Sequence, residues 1–295
     1  MTETTIEQAI EQIAHQFSQV DLCYGHGTSN PWEEAAWAVH HVLGIDFGQG
    51  PDVYKRSVTP EQLGSIQSLA LERIKTRKPM AYLTNKMWFA GLEFYVDERT
   101  LVPRSPLAEL ILNGFAPWID IEQANEVLDL CTGSGCIGMA IAHYFPHLNV
   151  TATDISQDAL EVAEINRTGL GLESQVSLCK SDLFKDIPKK QFDLIVSNPP
   201  YVANCVVQAL PDEYHKEPDL GLVSGEGGLD HVEQILKDSV KFLTDNGLLI
   251  VEVGLSMEAL SEAHPSLPFM WLEFDQGGEG VFMLTAEQLK AYFKD

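Results

Sequence analysis

Hydrophobic positions along this chain change their period twice. Over the first twenty residues Ile6, Ile10, Ile13, Phe17 and Val20 recur every three or four positions, the spacing that lines one face of a helix. Thr4 with Glu7 fits a capping box at its start. Asn30-Pro31-Trp32-Glu33 supplies a cap, a proline at the first helical position and an acid in the first turn. It predicts a second helix that carries Trp37 and Val39 and stops near Gly44. Thr59-Pro60-Glu61-Gln62 repeats the signature ahead of a third helix, so residues 1–85 read as a small helical bundle. From Met87 the run MWFAGLEFYVD, with aromatics on both sides of a glycine, predicts a β-hairpin. Leu101-Val102-Pro103-Arg104-Ser105-Pro106 and a short helix to Phe115 complete a connector over residues 86–118.

The remaining residues, 119–295, alternate short apolar runs with helical spacing, the pattern of an α/β domain with an open, largely parallel sheet. Strands are expected at 126–131, 150–154, 176–180, 192–197, 248–253, 270–275 and 281–284, and helices at about 136–145, 157–167, 229–243 and 256–264.

Composition narrows the function classes. Apolar residues make up 45% of the 295, enough for a substantial core, yet no stretch approaches the roughly 18 that a spanning helix requires. The acidic start MTETTIEQ lacks the pattern of a signal peptide. Five scattered cysteines without a CxxC pair fit a reducing, cytoplasmic setting, which makes the sequon at Asn166 a chance match. Nineteen basic against 43 acidic residues give a net charge of −24, a field that repels phosphates and attracts a cationic partner. Direct nucleic-acid binding is therefore not expected.

Two motifs carry chemistry. Leu128-Asp129-Leu130-Cys131-Thr132-Gly133-Ser134-Gly135 ends a buried strand and opens a helix. Glycines there let the backbone turn tightly and approach a ligand, and the helix N-terminus offers N–H groups to an anion. Asp154, closing the next strand, is placed to accept hydrogen bonds from a ribose diol. Read literally, Gly133 to Gly138 is also a GxGxxG followed at dinucleotide spacing by Asp154. The loop alone thus fits S-adenosylmethionine, a nicotinamide or flavin dinucleotide, or plain strand–turn–helix packing. Asp129 favours the first, because a carboxylate at the strand end suits an ammonium and opposes a pyrophosphate.

Asn198-Pro199-Pro200-Tyr201 follows the strand expected at 192–197 and falls at the crevice end of the sheet. An amide or aromatic amino nitrogen is a poor nucleophile because its lone pair is delocalised. The Asn198 side-chain oxygen and the Pro199 carbonyl can take its two N–H bonds and aim the lone pair at a methyl donor. Proline has no N–H and a fixed φ, so the double proline stiffens the loop, and Tyr201 can stack on the flat group that bears the nitrogen. A rigid turn without chemistry is the competing reading of the tetrapeptide alone.

The paired DLCTGSG and NPPY motifs resemble class I methyltransferases that act on conjugated amino groups. From the hairpin to the C-terminus, and more loosely before it, the chain resembles the protein-glutamine N5-methyltransferase family. That resemblance implies a Rossmann-like domain of strand order 3-2-1-4-5-7-6 behind an N-terminal helical substrate-recognition domain and β-hairpin. The release-factor branch of the family carries Pro-Arg-Pro in the connector. Here Pro103-Arg104-Ser105-Pro106, the surrounding AYLTNKMWFAGLEFYVDERTLVPRSP, and Cys131 in place of the first loop glycine resemble the branch that modifies large-subunit ribosomal protein three. The resemblance implies S-adenosylmethionine as cofactor and a basic ribosomal protein as partner. Release factors and, more remotely, adenine-N6 of nucleic acid are the alternative substrates. It also implies that Asp129, Cys131, Thr132, Gly133, Ser134, Gly135, Asp154, Asp182, Leu183 and Asn198 surround the cofactor. Asn198, Pro199, Pro200 and Tyr201 would hold the glutamine amide, and no metal is called for.

Other features weigh less. Between residues 201 and 232, Asp212, Glu213, Glu217, Asp219, Glu226 and Asp230 outnumber Lys216, a stretch that reads either as an acidic rim for a basic substrate or as a solvated loop. His40-His41 and His143/His147 lack zinc-ligand spacing, and Ser134 reads as a loop filler. Glu252, near the end of a buried strand, either faces the crevice or satisfies backbone donors.

Overall fold

The structure is a computed structural model that describes residues 3–46 and 48–293. Packing divides the chain into two units, Met1–Met87 with Pro211–Lys216, and Trp88–Leu210 with Glu217–Asp295. A six-residue return of the chain therefore belongs with the N-terminal helices, which periodicity alone does not reveal.

The first unit holds α1 (Ile6–Ser18), α2 (Pro31–Leu43), α3 (Pro60–Thr76) and α4 (Met80–Thr84). Ile6, Ile10, Ile13 and Phe17 are buried as their spacing requires, together with Trp37, Val39 and Ile66. The caps at Asn30 and Thr59 form as expected, and Gly44 ends α2 in the left-handed region at φ 62°. The first cap is shifted: the box is closed by Thr5 and Gln8, not Thr4 and Glu7. Both pairs fit the motif in sequence, but Thr5 is the extended N-cap at φ −81° and ψ 165°, and the Thr4 carbonyl, one step outside, accepts the Val58 N–H at 2.8 Å. Arg73, 1% exposed, donates to Glu34, to Glu213 of the return segment at 3.1 Å, and to the Cys23 carbonyl at 3.0 Å. A buried guanidinium needs partners on this scale, because each unpaired charge costs several kcal/mol.

The hairpin consists of β1 (Met87–Phe89) and β2 (Leu92–Phe94), joined through Ala90 and Gly91 at φ 48° and 78°. Two successive positive φ values match the right-handed twist of hairpin strands. The second unit continues with α5 (Leu107–Leu112), β3 (Glu126–Leu130), α6 (Cys136–Tyr144), β4 (Asn149–Asp154), α7 (Gln157–Gly169), β5 (Val176–Lys180) and β6 (Phe192–Ser197). Next come two short helices that the pattern did not predict, α8 (Asn204–Val207) and α9 (Asp219–Leu222), then α10 (Asp230–Ser239) and β7 (Leu243–Glu252). The chain closes with α11 (Met257–Ala263), β8 (Met270–Leu272), β9 (Val281–Thr285) and α12 (Ala286–Tyr292). β7 starts earlier than expected because it resumes pairing across a register shift, Phe192 meeting Leu243 and Leu194 meeting Leu248. β8 is shorter than expected because the chain leaves the ladder after Leu272, and the Asp275 and Gln276 N–H groups donate to Glu109 at 3.1 and 3.2 Å.

The sheet runs β5-β4-β3-β6-β7-β9-β8, parallel except where β9 pairs with β7 and β8. Counting only its own strands, this is the 3-2-1-4-5-7-6 order that the resemblance implied. Alternate strand residues feed two cores, as a sheet covered on both faces must. Val127, Val150, Leu194 and Ile250 pack with Met139 and Ile141 of α6, whereas Leu128, Ile195, Leu249 and Phe282 pack with Ile235 and Leu236 of α10 and Leu289 of α12. Chain direction reverses its progress across the sheet between β3 and β6, and in open α/β sheets such a switch point, at the carboxyl ends of the strands, is where ligands bind.

Candidate active site

Register brings the two motifs together. Leu130, the last residue of β3, is paired with Ser197, the last residue of β6, and Leu130 is also paired with Thr153 of β4. The glycine loop, Asn198 and Asp154 therefore leave three neighbouring strands at one level. The Ser197 hydroxyl donates to the Leu130 carbonyl at 2.9 Å and ties the exits of β3 and β6 to each other. β7 continues the row, with Val251 opposite Ser197, so Glu252 falls level with Asn198.

The glycines of the loop divide by function. Gly133, at φ 55°, has only open space where a side chain would project. A side-chain carbon on Gly135 would lie 2.4 Å from the Met139 methyl, and one on Gly138 would lie 2.9 Å from an Asp129 oxygen. Gly135 and Gly138 thus permit helix packing, and Gly133 alone offers close backbone approach to a ligand. Cys131 adopts φ 57° without being a glycine, a conformation that costs roughly 1–2 kcal/mol for an L-residue. Burial, then the charge of Asp154, pushes its thiol well above the ordinary range, so it is inert as a nucleophile.

Asp129 is wholly buried. Its Oδ2 accepts the Thr132 hydroxyl at 2.5 Å and the Gly138 N–H at 2.9 Å, bracing the loop against α6. Its Oδ1 has no hydrogen-bond partner among the described residues, and burial pushes the carboxyl up to about 7. Asp154 also serves the loop: Oδ2 accepts the Gly133 N–H and Oδ1 the Ser156 N–H, both at 2.9 Å. The Ile155 N–H is a third, weaker donor to the same carboxylate, which offers about four acceptor positions, so about one remains for a hydroxyl group. Asp182 is engaged with Lys185 at 2.5 Å, and Leu183, at φ 49°, packs against the core between the sheet and α10. Ser134 is buried, and its carbonyl accepts from Asn166 at 2.9 Å.

At the second motif Pro199 and Pro200 are buried, and Asn198 and Tyr201 are half-buried. The Tyr201 hydroxyl donates to Glu252 Oε1 at 3.3 Å, and its carbonyl accepts the Ser256 hydroxyl at 2.8 Å. The Tyr201 ring lies where Gly254 has no side chain: a carbon there would approach Cε2 to 2.8 Å. Glu252 Oε2 accepts the Ser105 hydroxyl at 2.5 Å. Burial raises its carboxyl, and opposing this are hydrogen bonds from Ser105 and Tyr201, the charge of Arg104 and, least of all, the nearby Asn198 side chain. Of the two roles expected for Glu252, facing the site is therefore the observed one.

The acidic stretch needs correction. Glu213 and Glu217 are 1% and 4% exposed and contribute nothing to a rim. Glu213 neutralises Arg73 in the first unit. Glu217, in the second, takes Arg104 bidentately at 2.6 and 2.8 Å and the Val102 N–H at 2.9 Å. Asp212, Asp219, Glu226 and Asp230 remain exposed. Sequence reasoning overlooked Ser105, Asn166, Ser197, Gly254 and Ser256 as parts of the site. A signal existed for Ser105, inside the connector motif already singled out, and for Gly254, two residues past the acid that interrupts the most apolar strand.

Comparison with known proteins adds an independent line. The family model for the methyltransferase small domain matches residues 109–211. The ribosomal protein uL3 glutamine methyltransferase of Francisella tularensis subsp. tularensis is 44% identical over 289 residues, covering 98% of this chain and 92% of that protein. The protein of the same name from Xanthomonas campestris pv. campestris is 44% identical over 288 residues, covering 98% and 93%. Among solved structures, the hMettl16 catalytic domain in complex with MAT2A 3'UTR hairpin 6 aligns with a TM-score of 0.53 at 18% identity, over 77% of this chain and 82% of that one. Identity at that level speaks to the fold alone.

Proposed function

The chain belongs to the ribosomal protein uL3 glutamine methyltransferase family, and from that premise we propose that it moves a methyl group from S-adenosylmethionine to the side-chain amide nitrogen of a glutamine in ribosomal protein uL3. The observation that carries this reading is the shared level of Leu130 and Ser197, which delivers the glycine loop and Asn-Pro-Pro-Tyr to one crevice.

The residues present fit the donor. Asp129 has a buried oxygen with no hydrogen-bond partner among the described residues, suited to an ammonium, Gly133 leaves its backbone uncovered, and Asp154 keeps about one acceptor position for a ribose hydroxyl. Asp182 and Leu183 would bracket the adenine. When bound, S-adenosylmethionine supplies a methyl group on a sulfonium, already activated for displacement.

What remains for the protein is alignment. Asn198 Oδ1 and the Pro199 carbonyl would accept the two N–H bonds of the glutamine amide, raising electron density on its nitrogen and orienting it to pyramidalise towards the methyl donor. Tyr201 covers the flat face of the amide. With the donor bound, the nitrogen would form the new N–C bond as the methyl–sulfur bond breaks and its electrons pass to sulfur. The methylated amide is then acidic enough to lose its surplus proton to water, so no strong base is required. Held in this geometry, the reaction gains the advantage of a unimolecular step, worth up to about 7–11 kcal/mol. A net charge of −24 also suits a basic protein substrate.

Incubation with isotopically labelled methyl donor and undermethylated uL3, followed by peptide mass spectrometry, tests the assignment. Label on a single glutamine is expected. Label on no glutamine, or on adenine in ribosomal RNA instead, overturns it.

A further inference from the structure

We infer that Glu252 is the positioning residue that fixes the side-chain orientation of Asn198 and Tyr201, and that Ser105 in turn fixes Glu252. The inference rests on the amide-methylation reading and extends it to residues that touch neither the donor nor the acceptor.

An asparagine amide can sit either way round, with oxygen and nitrogen exchanged by a half-turn. Only one orientation presents Oδ1 to a substrate N–H; the other presents an NH2 group, which repels it. A carboxylate accepts and does not donate, so it selects the orientation in which the Asn198 NH2 faces Glu252 and the oxygen faces outward. Glu252 accepts the Tyr201 hydroxyl at 3.3 Å and the Ser105 hydroxyl at 2.5 Å, two donors far apart in sequence, and the strand register sets its carboxylate level with the Asn198 side chain, which acts on it only weakly. The carboxylate is 6% exposed, so water does not replace a lost partner readily. Its place is set by β7, whose Val251 pairs with Ser197, one step before the motif. Gly254 reinforces the arrangement, because the Tyr201 ring rests where its side chain would be. Ser105 stands in the connector next to Arg104, which is itself clamped by Glu217, so the donor to Glu252 is held from both sides.

Glu252→Gln is isosteric and offers Asn198 an oxygen and an NH2 group alike, so the selection is lost while the packing is kept. Ser105→Ala removes one donor to Glu252 and leaves the other contacts. Expected for Glu252→Gln is a fall in kcat of about 10- to 100-fold, with KM for uL3 and the calorimetric Kd for S-adenosylhomocysteine changed less than about threefold. Ser105→Ala should lose about three- to tenfold in kcat on the same terms. The Asn198 side-chain NH2 resonances, followed by NMR without any turnover, should shift in Glu252→Gln and hold in a surface control. Unchanged kcat in both variants, or a loss confined to donor affinity, overturns the role, as do unmoved Asn198 resonances. Wild-type protein that binds the donor but labels no glutamine condemns the parent reading instead, and the NMR measurement still decides the orientation.

Discussion

Replacing Asp129 by asparagine should make the protein more stable and its donor binding weaker. The carboxyl is raised from an ordinary 3.8 to about 7, chiefly because burial disfavours its charge. At 1.36 kcal/mol per pH unit, that rise withholds about 4 kcal/mol of folding stability at pH 8. The sign follows from proton counts. Between pH 4 and 7 the unfolded chain has released this proton and the folded chain has kept it, so stability falls as pH rises and levels off above about 7. Asparagine carries no such term, and its oxygen can still accept from the Thr132 hydroxyl and the Gly138 N–H. Urea denaturation at pH 8 and pH 5 should therefore show an advantage for the variant that narrows by about 2–3 kcal/mol at the lower pH. Calorimetry should show the counterpart. Wild-type affinity for S-adenosylmethionine drops about tenfold per pH unit below 7, as the ammonium loses its charged partner, and the variant lacks this dependence. Equal pH slopes in denaturation, or the same binding profile in both proteins, would refute the reasoning.

Three further outcomes follow from the site. Asn198→Ala should leave the donor Kd within a few-fold of wild type and reduce kcat by about 10²–10³, the usual loss when one pre-aligned polar group is removed, as read by single-turnover methylation. Gly254→Ala forces a side chain to 2.8 Å from the Tyr201 ring at φ 46°, so it should cost at least about 1 kcal/mol in thermal unfolding and lower kcat more than donor affinity. Glu217→Ala strands the partly buried Arg104 and the Val102 N–H, and should lower stability by about 3 kcal/mol in chemical denaturation; a variant that melts with the wild type would show the clamp to be idle.

The sheet was legible because its strands are buried on both faces and read as apolar runs, and its ends moved only where pairing overrode local pattern. β7 illustrates this, since polar Asp245 and Asn246 fall outside the strand expected at 248–253 yet lie inside one that resumes pairing across a register shift. The two candidate motifs were legible because each puts special backbone chemistry at a strand end. Their supporting shell was not. Ser105, Asn166 and Ser256 are ordinary hydroxyl and amide residues whose partners lie 147, 32 and 55 positions away, and no local spacing encodes such pairs. The acidic stretch misled for a related reason. Six carboxylates in a row of loops look alike in sequence, and only tertiary contact separates Glu213 and Glu217, each consumed by an arginine, from those left in water.

The return of Pro211–Lys216 to the N-terminal helices has a consequence for biosynthesis. Arg73 and Glu213 are separated by 140 positions. At translation speeds of roughly 5–20 residues per second, the helices wait about 7–28 seconds for their second carboxylate. During that interval the guanidinium has Glu34 as its only carboxylate beside the Cys23 carbonyl, and the N-terminal unit cannot reach its final stability ahead of the rest of the chain. An early-emerging segment is thus completed late, and a nascent fragment ending at residue 87 should be more open to protease than the same residues in the finished protein.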